Sequence, residues 1–162
     1  MTANTPTSGG KGEGSNGAIV QVSESLEAGP VNRVALDLAA AIQRFGGNSK
    51  IVSGGGLMVA EAQRANVEHE TISISSVNPI GNPAGKIAGK LTEWDAQLVH
   101  SHGEDAAGLV IKAVGKHRVP HVVSLYDLPV RRNGKPTPGL QTALKGDRVL
   151  LASPFLQNLL SE

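Results

Sequence analysis

The sequence contains no cysteine. Disulfide staples, thiolate nucleophiles and zinc–sulfur centres are therefore excluded. Aromatic residues are almost as scarce, at 2% of 162 residues: Phe45, Trp94, Tyr126 and Phe155. A nucleic-acid platform that stacks bases on rings would lack its rings, and the core must be assembled from Val, Ile, Leu and Ala. Neither sign of charge is in excess. The formal net charge is +1, so no broad basic field gathers DNA or RNA, and no nucleic-acid partner is expected. No apolar run approaches the ~20 residues of a membrane span, and the N-terminus lacks the basic-then-apolar layout of a secretion signal. The expectation is a cytoplasmic protein without a transmembrane segment.

What is present is a chain of alternating short patterns. Apolar residues make up 40%, enough for one compact domain. Residues 1–17 are rich in Gly, Ser, Thr and Asn, and they read as a disordered leader to a domain over 18–162. The run Ala18-Ile19-Val20-Gln21-Val22 predicts a buried strand. Pro30 then stands where a helix can start. Val31, Val34, Leu38, Ala41, Ile42 and Phe45 form one stripe at three-and-four spacing, closed by Gly46-Gly47. The pattern continues with strands over 49–53, 68–74 (edge-like), 96–100, 121–125 and 147–152. Helices are expected over 57–65, 84–93, 104–116 and from Ser153-Pro154 onward. The stretch 131–144 reads as polar and turn-rich, with Pro136 and Pro138.

Strands alternating with helices through short loops imply an α/β fold. Its centre is a Rossmann-like parallel sheet of about six strands with helices on both faces. In such sheets ligands gather at the carboxyl ends of the strands, near the switch in strand order. The loops to search are 23–30, 53–56, 101–105 and 126–129.

At those loops the sequence resembles the amino-terminal domain of family 4 glycosyltransferases of the GT-B type, above all bacterial transferases that build lipopolysaccharide core and other surface glycans. The likeness rests on four pieces. Val20-Gln21-Val22 leads into Glu27-Ala28-Gly29-Pro30-Val31-Asn32-Arg33, similar to the family's strand, Gly-Gly-x-Glu-Arg turn and helix. Val52-Ser53-Gly54-Gly55-Gly56-Leu57 follows, with Glu61 downstream. Leu98-Val99-His100-Ser101-His102 resembles the family's D-x-V-H-x-H strand end. Gly146-Asp147-Arg148-Val149, with Ala152-Ser153 and Phe155, resembles its late A-D-x-V strand. The resemblance implies half of a GT-B fold, the half that binds the acceptor, ending before the donor-binding half. It implies as partners a nucleotide sugar and a glycan or lipid-linked acceptor once a second domain is supplied. A partner chain or a second copy, and peripheral contact with the inner face of the membrane, belong to the same expectation. No cofactor and no metal are expected; His100 and His102 lack a third ligand nearby.

The same resemblance supplies the candidate site. His102 and Asp127 are the catalytic candidates; Gly29, Pro30, Asn32, Arg33, Gly55, His100, Glu104 and Tyr126 are the substrate-binding ones. Each has an ordinary alternative. Gly29-Pro30 also suits a plain strand-to-helix turn, and Gly54-Gly55-Gly56 a flexible one. His102 suits a structural or solvated histidine as well as an acceptor contact. Asp127 stands where a general base would belong, or caps the turn beside Pro129. Glu104 and Asp105 complement a helix dipole, and Arg131-Arg132 with Lys135 suits a solvated loop or an anionic acceptor. Several positions depart from the family. Pro30 removes an N–H from the turn, Asn32 replaces a glutamate, and Tyr126 stands where the family has a histidine. The short Pro-rich stretch 131–145 is read as lacking the family's acceptor-side helix. These departures support the alternative of a degenerate, non-catalytic remnant or a glycan- or protein-binding module. A generic nucleotide binder ranks last, because no G-x-G-x-x-G or Walker motif follows the first strand.

Overall fold

The computed structural model describes residues 17–74, 81–115, 118–127 and 135–161. The leader expected over 1–17 therefore lies outside the described residues except at Gly17, and so do His117, Pro129, Arg131 and Arg132. In chain order the elements are β1 (Ile19–Ser23), α1 (Pro30–Arg44), β2 (Ser49–Ser53), α2 (Val59–Arg64), β3 (Glu68–Thr71) and α3 (Pro83–Glu93). They continue with β4 (Leu98–His102), α4 (Glu104–Val114), β5 (His121–Leu125), α5 (Pro138–Ala143), β6 (Arg148–Leu151) and α6 (Pro154–Ser161). All strand pairings are parallel, and the order is β3-β2-β1-β4-β5-β6. The expected Rossmann-like sheet is present, and its switch in order falls between β1 and β4.

Side-chain alternation divides the core between two faces. Val20, Val22, Val52 and Val99 point to one face and pack with Ile87, Leu91 and Trp94 of the α3 region and Ala106, Leu109 and Val110 of α4. Farther along that face, Val123 and Leu125 meet Ala107 of α4 and Leu140 and Ala143 of α5. The opposite face packs Ile51 against Leu36 and Ala39 of α1 and Ala62 of α2. Each fully buried aliphatic side chain contributes about 1.5–3 kcal/mol.

Three readings of the sequence are corrected. On α1 the buried residues are Ala35, Leu36 and Ala39, whereas Val34, Leu38 and Phe45 of the expected stripe are exposed. The helix carries two apolar stripes, and the one with small alanines lies flat on the sheet. Strand β4 runs two residues later than expected, to His102, because Ala96 and Gln97 are used in the α3–β4 connection: Ala96 N–H donates to Leu91 O and Gln97 N–H to Ala18 O. Within the stretch read as turns, α5 forms: Pro138 opens it, and the Thr137 hydroxyl accepts from Leu140 N–H as its cap.

The two sheet edges are finished differently. Strand β3 carries Glu68, paired with Lys50 and accepting from Trp94 Nε1, and Glu70, paired with Lys90. Such charges discourage further strand pairing. Strand β6 reads Arg148-Val149-Leu150-Leu151, and Leu150 is half exposed.

Candidate functional site at the carboxyl rim

Because every strand is parallel, the segments after β1, β2, β4 and β5 leave from one rim. Around the switch point, α1 rises from β1 on one face and α4 from β4 on the other. Neither helix has a side-chain N-cap. Gly29 precedes α1 in extended conformation, φ −176°, which any residue adopts. Gly103 alone joins β4 to α4 at φ +89°, a conformation that favours glycine.

The β1–α1 loop is fixed from two sides. Asn32 Nδ2 donates to Ser25 Oγ and Glu27 O, while its Oδ1 accepts from Ser23 Oγ at 2.9 Å. Asn32 thus ties the loop to its own helix. From the other side, Leu26 N–H donates to Gly55 O, Gly54 N–H to Glu24 O and Met58 N–H to Leu26 O. Gly56, at φ +141°, lies against the Leu26–Glu27 backbone, where a Cβ would collide. The close approach that the Gly54-Gly55-Gly56 run permits is therefore to the neighbouring loop.

Beneath these loops, on the α1 side of the sheet, β1, β4 and β5 carry a buried polar row. Gln21 is in register with His100, His100 with Val122, and His102 with Ser23 and Ser124. Gln21, His100 and His102 are all buried. His102 Nε2 is 2.9 Å from Gln21 Oε1, and its Nδ1 is 2.7 Å from the Tyr126 hydroxyl. His100 Nε2 lies 2.8 Å from Ser124 Oγ, and its ring lies 4.2 Å from that of His102. Burial, with a smaller contribution from neighbouring His100, pushes the His102 imidazole down to about 3. Burial also lowers His100. Both rings are neutral near pH 7. The Tyr126 phenol is raised by burial, with the Ser124 hydroxyl acting the other way; it is a hydrogen-bonding group at neutral pH.

The remaining candidates are spread along the rim. Arg33 is exposed and bonds both Asp37 and Glu61, each at 2.7 Å, joining α1 to α2. These carboxylates raise its basicity further. Glu104 accepts from Thr137 Oγ at 2.8 Å and so braces α4 against the start of α5. Asp127 is exposed at the end of β5, and the Pro129 turn it was read as capping lies outside the described residues. Gly29, Pro30 and Asn32 border the β1 end, and Gly55 the adjoining loop. Sequence reading passed over Gln21. Its signal was a lone amide within an otherwise apolar strand, where a polar residue requires a partner. On the other face, His121 was also unassigned; it meets Ser101 Oγ at 2.8 Å, and burial lowers it to about 4. Among the described residues no cluster of His, Asp or Glu could hold a metal ion, and no helix is long and apolar enough to cross a membrane.

Solved structures with the same backbone arrangement exist. Anabaena Alr3699/HepE in complex with UDP matches with a TM-score of 0.70 and 15% identity, over 88% of this chain and 39% of that one. The matched region corresponds to half of a GT-B fold. A glycosyltransferase from Rickettsia africae matches this GT-B half at TM-score 0.68 and 22% identity, over 91% of this chain and 40% of its own. MurG from Acinetobacter baumannii matches at 0.64 and 16%, over 86% and 42%. At these identities the likeness is one of fold, and the chain spans about two fifths of the solved structures it matches. No protein-family model and no curated protein matches the sequence.

Proposed function

We propose that the domain over 18–162 is the acceptor-side lobe of a nucleotide-sugar-dependent glycosyltransferase of the family 4 kind, working with a companion lobe that holds the donor. The observation that carries this reading is the common rim at the β1/β4 switch point, where the loops of the family-like segments converge over Gln21, His102 and Tyr126. The structural likeness to HepE, which was solved with UDP, supports a nucleotide-sugar donor. In such an enzyme the acceptor hydroxyl attacks the anomeric carbon, and the protein orients both substrates and stabilises the leaving diphosphate. Here Tyr126 would contact the acceptor, with Asp127 the exposed carboxylate within the same rim. His102, held neutral and bonded on both ring nitrogens, serves as a support for Tyr126. The place of action is the cytoplasm, at the inner face of the membrane where the acceptor is lipid-linked.

A second reading is a glycan- or protein-binding module of the same fold without catalysis. It is favoured by the engagement of Arg33 with Asp37 and Glu61 and of Asn32 with its own loop, which withdraws both from chemistry at the rim.

Isothermal titration separates the readings. Acceptor-type oligosaccharides and UDP-sugars are added to the chain alone, and then with proteins encoded beside it. Oligosaccharide binding together with sugar transfer on adding a companion supports the first reading; oligosaccharide binding without transfer in any combination supports the second. No binding of either ligand class in any combination removes the acceptor-side assignment.

A further inference from the structure

Gln21 lies in the middle of β1 between two buried valines, wholly inaccessible, and its Nε2 has no hydrogen-bond partner among the described residues. A buried donor left unpaired is a cost that an apolar residue would avoid. Its Oε1, by contrast, is engaged: it lies 2.9 Å from His102 Nε2, and His102 Nδ1 lies 2.7 Å from the Tyr126 hydroxyl. The amide is thus kept for what its oxygen does to the histidine.

We propose that Gln21 and His102 are positioning residues that turn the Tyr126 hydroxyl proton inward, so that the phenol meets the rim as a hydrogen-bond acceptor and selects a sugar hydroxyl over a phosphate. The inference deepens the acceptor-side reading and rests on it. An amide oxygen can only accept, so His102 must carry its proton on Nε2. A neutral imidazole has one proton, which leaves Nδ1 as an acceptor. The partner of Nδ1 is a phenol, a better acid than imidazole N–H, and donation from Tyr126 O–H to Nδ1 is the matched direction. The chain of bonds therefore runs from Tyr126 to His102 to Gln21. Ser124, bonded to His100 at 2.8 Å, also hydrogen-bonds the Tyr126 phenol and lowers its pKa, as a hydroxyl donating to one of the phenol lone pairs does, so the Tyr126 proton stays with His102. With its proton committed inward, Tyr126 has only oxygen lone pairs to offer. An incoming hydroxyl can donate to them, whereas a phosphate oxygen would meet another acceptor. The burial that keeps His102 neutral also prevents a second ring proton from reversing the chain.

The test uses the chain as it stands, labelled with 15N-histidine. Long-range nitrogen–proton NMR is expected to show His102 neutral with its proton on Nε2. Methyl α-glucopyranoside and dimethyl phosphate, an anion with no proton to donate, are then titrated separately, and the Tyr126 and His102 signals are expected to respond to the glycoside and not to the phosphate. Gln21→Met removes the orienting oxygen. It should mix the two tautomers and weaken the glycoside response by about threefold to tenfold, the loss of one hydrogen bond's worth of orientation. A proton found on Nδ1 in the parent, a Gln21→Met variant with unchanged tautomer, or a stronger response to phosphate overturns the positioning role even where the glycoside binds. The expected tautomer with no response to the glycoside overturns the acceptor-side reading and, with it, the selection of a sugar hydroxyl.

Discussion

Strands β1 and β4 lie side by side and show opposite characters on their two faces. Toward α3 and α4 they present Val20, Val22 and Val99, packed with Ile87, Leu91 and Val110, with buried Ser101, bonded to His121, as the polar exception. Toward α1 they present Gln21, Ser23, His100 and His102, equally inaccessible but polar and bonded to one another or to rim residues. Backbone geometry is shared, so the contrast is in side-chain alternation alone. Buried valines stabilise the sheet. Buried amide and imidazole groups add little net stability even when satisfied, and Gln21 is only half satisfied. A fold that retains them where apolar residues would fit is using that face for something besides folding.

The contrast can be tested by substitution. On the apolar face, Ile87→Ala should cost about 2–5 kcal/mol, as a cavity replaces a fully buried side chain; urea unfolding measures it. The next effect is the response of the buried histidines to acid. His102 is held near 3 and His121 near 4, both below the ~6.5 of an unfolded chain. Their contribution is intact above pH 6.5. As pH falls below that value the unfolded state takes up protons first, and stability declines until the folded pKa is reached. By pH 5 the loss should be about 2 kcal/mol for each such histidine. Urea midpoints across pH should show this slope, reduced in a His102→Leu variant; an unchanged slope would deny His102 its buried, neutral state.

A smaller effect is expected from replacing both partners on the polar face. Gln21→Met with His102→Leu should leave stability within about 1 kcal/mol, because two polar groups are removed together, while the glycoside response of Tyr126 disappears. A loss as large as that of Ile87→Ala would make the polar face an ordinary part of the core. The smallest effect is at Arg33→Ala. The ion pairs with Asp37 and Glu61 lie at the solvent-exposed surface, and exposed pairs contribute little; the thermal midpoint should barely move.

Much of this arrangement could be read in the sequence, with identifiable gaps. Short apolar runs such as Ile19-Val20 and Leu98-Val99, each followed by a helical stripe, were enough to specify a parallel sheet with helices on both sides. The phase of α1 was not, since Val34-Leu38 and Ala35-Ala39 both satisfy helical spacing and only packing chooses between them. The end of β4 was misplaced because the α3–β4 connection consumes Ala96 and Gln97 in backbone bonds that no pattern announces. Helix α5 was hidden by its prolines, though Thr137-Pro138 is a good helix start. For the site, His102 and Tyr126 were named separately, and their contact depends on pairing between β4 and β5. Gln21 joins them only because β1 lies beside β4, a neighbour some 80 residues away in sequence.

The three backbone bonds that clamp the loop after β1 to the loop after β2 make the two behave as a single beam. Little ordering entropy remains to be lost when a ligand lands there, and the beam has correspondingly little room to bend around an oversized guest. Discrimination at this edge should therefore work by rejecting shapes, and a change in the second loop should be felt in the first.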